Sequence, residues 1–353
     1  MTDTALRDVA TELFDRFSGW EMVEEAERCG WAEPLWKALQ DVGFGDVPVP
    51  EELGGAGGDI ADAITLLRVA GAHAAAVPLA EAGLVGGWLL SSVRLGLPDG
   101  VRTVLPPVAQ SDLHLDAGRL FGTVHAVPWG HRAEHVVGIV EGAVILAPGP
   151  AAGVAELSVT RTLNLANEAR DTLCFDGVPV TERIVAPDGI DYETLWQRIA
   201  LGRAALMSGA LDAVAAMTLR YSSEREQFGR PIRQFQAVQA HLVALHQQAV
   251  AASAAVDGAV EAVARGGGGF EIACAKILVD RAAQLAARAA HQTHGAIGMT
   301  QEYPLHYLTR RILAWRDEAG GHHRWVDRLG AAVVAAGPDA LYPAIQAGSE
   351  VIK

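Results

Sequence analysis

The chain has 353 residues, of which 50% are hydrophobic, and this is enough apolar material for two or three packed domains. Its formal net charge of −14 argues against a nucleic acid or an anionic membrane as partner, because such partners require a broad basic surplus. The three cysteines are too scattered for a disulfide framework, and no leader-like apolar run follows Met1, so we expect a cytoplasmic protein.

The first part of the chain, residues 1–98, is predicted to be a helical domain. Apolar residues recur at three- and four-residue spacing along 6–17 and again along 35–42, which is typical of amphipathic helices. Between these helices and the next, the segment 49–58 contains one proline and four glycines. We interpret it as a loop, because both residue types interrupt regular structure.

The middle of the chain, residues 99–190, is predicted to be a compact β domain. Short β-prone runs occur at 135–140, 143–147 and 172–175. Gly, Pro and Asp residues separate these runs, as expected for turns between strands.

The last part, residues 191–353, returns to long helical patterns. Glycine and proline break them at 229–231, 266–269 and 320–321. Three or four segments between the breaks are long enough to form a four-helix bundle. The predicted fold class is therefore mainly α with a central β domain.

The run from Arg225 to Ile232, followed by 235–239, is the most informative motif. Arg225 presents a planar donor fork suited to a pyrophosphate oxygen. Gln227 and Gln236 supply neutral donors and acceptors, and Phe228 offers an apolar face to an adenine. Taken alone, the run is also compatible with exposed helix charges around a core phenylalanine.

A second motif extends from Gln292 to Thr300 and contains Gly295, Ala296 and Gly298. Such small residues allow a backbone to approach a ligand closely and to donate N–H groups to it. Together the two motifs resemble the C-terminal half of the acyl-CoA dehydrogenase family. The order of helical, β and helical domains is also that of the family, and the resemblance covers most of the chain.

The resemblance implies FAD as cofactor, an acyl-CoA thioester as substrate and an electron-transfer flavoprotein as electron acceptor. It implies that Arg225, Gln227, Phe228 and Gln236 hold the ADP half of a FAD lodged mainly in a neighbouring subunit. By the same resemblance, Gln292, Gly295 and Ala296 contact the diphosphate or adenosine end, although Ala296 replaces the usual second glycine. A homo- or hetero-tetramer built on the long C-terminal helices is expected.

The family removes two hydrogens across the Cα–Cβ bond, and a glutamate takes the α proton. Counting from the motifs places this base at Ala319 or, in a second family solution, at Ile199. Neither residue is a carboxylate, so Glu318, one position early, is the candidate catalytic residue. The alternative is that Glu318 is a carboxylate paired with Arg316 or Arg311 at a helix end.

The segments that bind the flavin ring in the family are also altered. Residues 101–112 contain no counterpart of the Thr-Glu-Pro-x-Ala-Gly-Ser-Asp motif. Where the family has Trp-Ile-Thr, this chain places Pro128 and Trp129, and proline lacks both a hydroxyl and an N–H group. Trp129 either covers a flavin face or is a core residue of the β domain.

These losses suggest two main hypotheses. The chain is an FAD-dependent acyl-CoA dehydrogenase with an unusual base, or it resembles one subunit of a heteromeric enzyme of the kind that degrades steroid side chains or rings. Two further alternatives are a flavin monooxygenase or nitroalkane-oxidase relative that uses Asp317, and a cofactor-free scaffold.

The twelve histidines do not predict a metal site. His322 and His323 are adjacent, and side chains of adjacent residues on a helix point about 100° apart. His131 and His135 have helical spacing but fall where strand and turn are predicted. No metal is expected.

Overall fold

The computed structural model describes residues 3–107 and 112–347, so the segment 101–112 is described only in part. The chain forms two compact units. One unit contains Met1–Trp20, Ile64–Ala75 and Ala200–Lys353, and the other contains Glu21–Ala63 and Ala76–Ile199.

The N-terminal part is helical, as predicted. Its elements are α1 (Asp3–Phe17), α2 (Trp20–Cys29), α3 (Glu33–Asp41), α4 (Ile60–Ala72) and a π-helical segment, Ala80–Gly87, that continues into α5 (Trp88–Ser92). The buried stripe of α1 differs from the expected one. It consists of Leu6, Ala10 and Phe14, while Val9 is exposed, because the core contacts select a four-residue spacing along this helix.

The described part of the β region contains eight strands in two sheets. They are β1 (Arg102–Val104), β2 (His114–Asp116), β3 (Arg119–Pro128), β4 (His135–Val140), β5 (Ala143–Pro148), β6 (Leu157–Thr160), β7 (Arg170–Pro179) and β8 (Glu182–Val185). One sheet has the order β1-β4-β5-β8 and the other β2-β3-β7-β6. Val124, Val136, Ile145 and Phe175, which come from both sheets, share one apolar core, so the two sheets pack as layers.

The C-terminal part contains the long helices predicted from the sequence. The elements are α6 (Tyr192–Glu224), a hairpin of β9 (Glu226–Gln227) and β10 (Arg230–Pro231), α7 (Gln236–Ala264), α8 (Gly269–His294), α9 (Leu305–Asp317), α10 (Gly321–Ala336) and α11 (Leu341–Ala347). α6, α7 and α8 have 33, 29 and 26 residues. α8 packs against α7, α9 and α10. The breaks after α6, α7 and α9 were predicted, whereas the end of α8 at His294 was not.

Two glycines allow α4 and α6 to touch at backbone distance. A Cβ atom on Gly71 would lie 1.9 Å from the carbonyl oxygen of Leu206, and one on Gly209 would lie 1.9 Å from that of Arg68. Any larger side chain at either glycine would push the helices apart. This crossing fixes the end of α4 beside the middle of α6.

One helix in the described part of the chain, α6, is long and apolar enough to cross a membrane by length and composition. However, 78% of its most apolar window is buried inside the protein. A core helix of a soluble protein passes the same test.

Candidate functional site

A β-hairpin connects α6 to α7 and carries the first motif. Its turn residues, Phe228 and Gly229, have left-handed backbones with φ of 52° and 76°, which is the geometry of a two-residue type I′ turn. The N–H of Ile232 donates to the carbonyl oxygen of Arg225 at 2.8 Å and closes the base of the hairpin. The hairpin therefore carries Arg225 at its base and Phe228 at its tip.

The hairpin side chains are open to solvent in the single chain. Phe228 is 93% exposed, and its ring meets only the edge of Phe235, with 6.0 Å between centroids. Arg225, Gln227 and Gln236 are also exposed. An exposed aromatic beside an exposed arginine forms a surface suited to a ligand with an anionic and a flat part.

The second motif lies where α8 ends. Gly295 has a φ of 63°, a left-handed value that terminates the helix and that glycine adopts without strain. Gln292, Gly295 and Ala296 are all exposed. They form a second open surface at the end of the bundle.

An aromatic cluster that the sequence analysis missed links the two motifs. The ring of Tyr221, one turn before Arg225, stacks on His294 at 4.4 Å and meets the edge of Tyr303 at 5.6 Å. The Tyr221 hydroxyl donates to the carbonyl oxygen of His294 at 3.3 Å, next to Gly295. Burial lowers the pKa of His294, which favours its neutral imidazole. The cluster brings the hairpin and the end of α8 to the same end of the helices.

Glu318 forms an ion pair with a buried arginine. Nε of Arg203, on α6, donates to Oε2 of Glu318 at 2.6 Å, and the side chains are 3% and 19% exposed. The two arginines proposed as partners from the sequence have contacts of their own. Arg316 pairs with Asp317 at 2.8 Å, and buried Arg311 donates to the carbonyl oxygen of Tyr307.

The loop around Glu318 is held by two further hydrogen bonds. The indole N–H of Trp325 donates to the carbonyl oxygen of Ala319 at 2.8 Å. Nζ of Lys276 donates to the carbonyl oxygen of Arg316 at 2.8 Å. Ala319 itself has a left-handed φ of 54°, so these contacts hold a strained turn in place.

Lys276 also forms a fully buried ion pair with Asp280 at 2.5 Å on α8. Burial lowers the pKa of Lys276, and burial raises the pKa of Asp280 to about 6 although Lys276 opposes that rise. The sequence signal was a Lys and an Asp four residues apart in an alanine-rich helix. Such a pair is more often found on a solvated face.

Trp129 is buried in the β region. It is 3% exposed, its backbone N–H donates to the carbonyl oxygen of Ala169 at 3.0 Å, and the guanidinium of Arg170 lies 4.8 Å from its ring. The preceding carbonyl, of Pro128, accepts from Thr103 at 2.5 Å. This segment is filled by the chain's own contacts, which favours the core-tryptophan interpretation over one that covers a flavin.

His131 has a structural partner, the fully buried Asp171. Nδ1 and the backbone N–H of His131 lie 2.7 and 2.8 Å from one Asp171 oxygen. Burial alone would raise the pKa of Asp171, but the hydrogen bonds from His131 outweigh it and lower that pKa. In the described part of the chain, no three His, Cys, Asp or Glu side chains are grouped to hold a metal ion.

The comparison with protein families decides the identity of the fold. Residues 1–112 match the acyl-CoA dehydrogenase N-terminal domain, and residues 192–322 match the acyl-CoA dehydrogenase C-terminal domain. The chain belongs to the acyl-CoA dehydrogenase family. Members of this family are flavoprotein oxidoreductases that act on CH–CH groups, and their fold is a soluble one.

Individual acyl-CoA dehydrogenases match over nearly the whole chain. Acyl-CoA dehydrogenase IpdE2 of Mycobacterium tuberculosis is 29% identical over 87% of this chain and 89% of its own length. Acyl-CoA dehydrogenase FadE28 of the same organism is 28% identical, over 93% of this chain and 96% of its own.

Two solved structures share the fold over 95% of this chain and 98% of their own. The Tcur3481-Tcur3483 steroid acyl-CoA dehydrogenase variant is 25% identical with a TM-score of 0.85. The ChsE4-ChsE5 complex of Mycobacterium tuberculosis is 24% identical, also with a TM-score of 0.85. The fold class predicted from the sequence is therefore confirmed.

Proposed function

We propose that this chain is one subunit of a heteromeric, FAD-dependent acyl-CoA dehydrogenase that introduces a double bond between Cα and Cβ of an acyl-CoA. In this proposal the chain binds the ADP half of a FAD lodged mainly in the partner, and the partner supplies the base. The enzyme acts in the cytoplasm and passes electrons to an electron-transfer flavoprotein. The observation that carries the proposal is the pairing of Glu318 with Arg203, beside motifs that remain open.

The residues of the hairpin fit the ADP half of FAD. Arg225 offers parallel N–H donors to a pyrophosphate oxygen, and Phe228, being 93% exposed, offers a free ring face for an adenine. Gln292 and the backbone at Gly295 and Ala296 supply further donors from the end of α8. When bound, FAD supplies the hydride acceptor for the Cβ hydrogen.

Glu318 does not fit the role of the base. A general base must aim a free lone pair at the substrate Cα and accept its proton. Instead, Oε2 of Glu318 is held 2.6 Å from a buried guanidinium, and a neighbouring cation favours the charged carboxylate over the protonated acid. The family alternative on α6, Ile199, has no ionisable side chain.

The ring-side segment of the chain supports the same assignment. By the family resemblance, Pro128 and Trp129 correspond to the segment that binds the flavin ring, and Trp129 is buried beside Arg170 in the β region. A flavin ring at this segment would have to displace a buried tryptophan, which costs about 3–5 kcal/mol when the whole side chain is removed from a core. The partner is therefore assigned the ring site.

The relatives support a bulky substrate and two kinds of subunit. The ChsE4-ChsE5 structure is a complex of two proteins, and the Tcur3481-Tcur3483 structure is a steroid acyl-CoA dehydrogenase. We extend both features to this chain as part of the proposal. Oxidation of straight-chain acyl-CoAs only, in a screen that includes polycyclic acyl-CoAs, would reject the steroid-type substrate.

The test is the flavin content per protomer, measured by absorbance for the chain alone and after co-expression with a dehydrogenase-like partner. The proposal predicts little flavin on the chain alone and about half a FAD per chain in the complex. About one FAD per chain without a partner would reject the heteromer. It would favour the second candidate, a homomeric dehydrogenase with Glu318 as base.

Asp317 does not favour the oxygen-activating relatives of the family. Its carboxylate is exposed and pairs with Arg316 at 2.8 Å. An aspartate base would have to lie in a dry pocket, where burial tunes its proton affinity.

A further inference from the structure

A separate cavity of about 340 Å³ opens among α1, α4, α6 and α9. It exists because five of its lining residues have very small side chains, namely Ser18, Gly19, Ala72, Ala213 and Ala216. None of the residues assigned above to FAD, acyl-CoA or the base lines it. At about 30 Å³ for each water molecule, it has room for a ligand of roughly ten non-hydrogen atoms.

One wall of the cavity is aromatic and apolar. The indole of Trp20 stacks nearly parallel on the ring of Tyr307, at 9° and 6.0 Å between centroids. Met217 and Leu308, both buried, form the rest of the apolar lining. Such a wall suits a flat or aliphatic body rather than a hydrated ion.

Among the charged side chains in the described lining, Asp15 has a hydrogen-bonded partner, whereas Arg220 forms no ion pair. Nδ1 of His73 is 2.8 Å from the carbonyl oxygen of Val69, and Nε2 is 2.9 Å from Oδ1 of Asp15. Asp15 and His73 therefore bind each other. Arg220, also in the lining, is exposed and forms no ion pair within the described part of the chain.

The helix geometry places this cation over the apolar floor. Ala216 and Met217 lie three and four residues after Ala213, and Arg220 lies four and three residues after them, so the four residues share one face of α6. A ligand that fills the space above the two alanines thus reaches the guanidinium fork at one end of the face. Carboxylates match that fork with two parallel hydrogen bonds.

We infer that this cavity is a binding site for a small carboxylate with a flat or aliphatic body. The carboxylate pairs with Arg220, and the body lies against Trp20, Met217 and Leu308. The site is too small for an acyl-CoA or for FAD, so its occupant is a second, independent ligand of the enzyme. The inference does not depend on the heteromer or on the identity of the base.

Isothermal titration of the purified protein, with whatever partner it carries, tests the site with three probes: phenylacetate, benzylamine and inorganic phosphate. Phenylacetate should bind at least tenfold more tightly than either of the others, because it alone has both the apolar body and the carboxylate. Arg220→Gln should weaken phenylacetate binding at least tenfold. Arg288→Gln, at an exposed arginine on α8, is the matched control and should leave it unchanged.

A second variant, Ala216→Phe, fills the cavity and should abolish phenylacetate binding while Arg220 is kept. Thermal unfolding of each variant shows whether it is folded, and Arg220→Gln, at an exposed position, keeps the test valid if the cavity variant fails to fold. The inference is overturned if phenylacetate does not bind at 10 millimolar, if benzylamine or phosphate binds as tightly, or if Arg220→Gln binds like the unchanged protein.

Discussion

The hairpin after α6 and the loop after α9 both connect long helices. They differ in how far their candidate functional side chains are exposed or paired. In the hairpin, Arg225 and Phe228 are exposed, and the chain provides little that covers them. In the loop, Glu318 is paired with Arg203, and the carbonyl of Ala319 is held by a tryptophan.

The hairpin side chains are therefore accessible to a ligand, whereas the carboxylate of Glu318 is already paired within the chain. The family needs a free carboxylate at the loop and a free arginine at the hairpin. In this chain Glu318 is paired with an arginine from α6, and under the proposal Arg225 keeps the role of the hairpin arginine. Under the proposal, such a chain completes the cofactor site of another subunit.

The largest expected effect comes from a substitution that removes a buried ion pair beside the Glu318 loop. Lys276→Met removes the cation that pairs with buried Asp280 and caps the Arg316 carbonyl. Breaking a buried pair from one side costs about 3–5 kcal/mol, because the remaining charge is buried without compensation. Urea unfolding at pH 7.5 should show a loss of this size.

Arg281→Met, at an exposed position on the same helix, is the control and should change the free energy of unfolding by less than about 0.5 kcal/mol. The double variant Lys276→Met with Asp280→Leu should recover much of the loss. A loss below about 1 kcal/mol for Lys276→Met would show that the pair does not hold the loop.

The next largest effect is on FAD binding by the exposed hairpin. Arg225→Gln removes the donor fork proposed for the pyrophosphate, and a hydrogen bond to a charged group contributes about 1.5–3 kcal/mol. The dissociation constant of FAD from the heteromer should therefore rise about tenfold or more, as measured by flavin fluorescence. Arg233→Gln, an exposed arginine two residues after the hairpin strands, should leave it unchanged. Equal effects of both variants would contradict the assignment.

The sequence predicted what local patterns encode and missed what depends on packing between distant segments. The helix breaks and the strand at 135–140 followed from Gly, Pro and β-branched residues, and the structure confirms them. The pairing of Glu318 with Arg203 was not predicted, because Arg203 lies 115 residues away and helical periodicity does not say which helices meet. The site residues themselves remain predictions until ligand binding is measured.

The pH dependence of the free energy of unfolding tests the buried Lys276–Asp280 pair that lies beside the Glu318 loop. Burial raises the pKa of Asp280 from 3.8 to about 6, so the native state holds this proton more tightly than the unfolded state does. The contribution of Asp280 to stability is then largest below pH 4 and falls as pH rises through about 6. The unfolding free energy of the unchanged protein minus that of Asp280→Asn should decrease over this range. A difference that increases with pH would contradict the shift.

The smallest expected effect tests the central claim most directly. It is the single-turnover rate of flavin reduction by an acyl-CoA in the heteromer that carries Glu318→Gln, compared with the unchanged complex and with the exposed control Glu302→Gln. The amide still accepts the hydrogen bond from Arg203, so only the ability to take a proton is lost. The account predicts rates within about threefold of one another, whereas a loss of about 10²-fold or more for Glu318→Gln alone would show that this chain supplies the base.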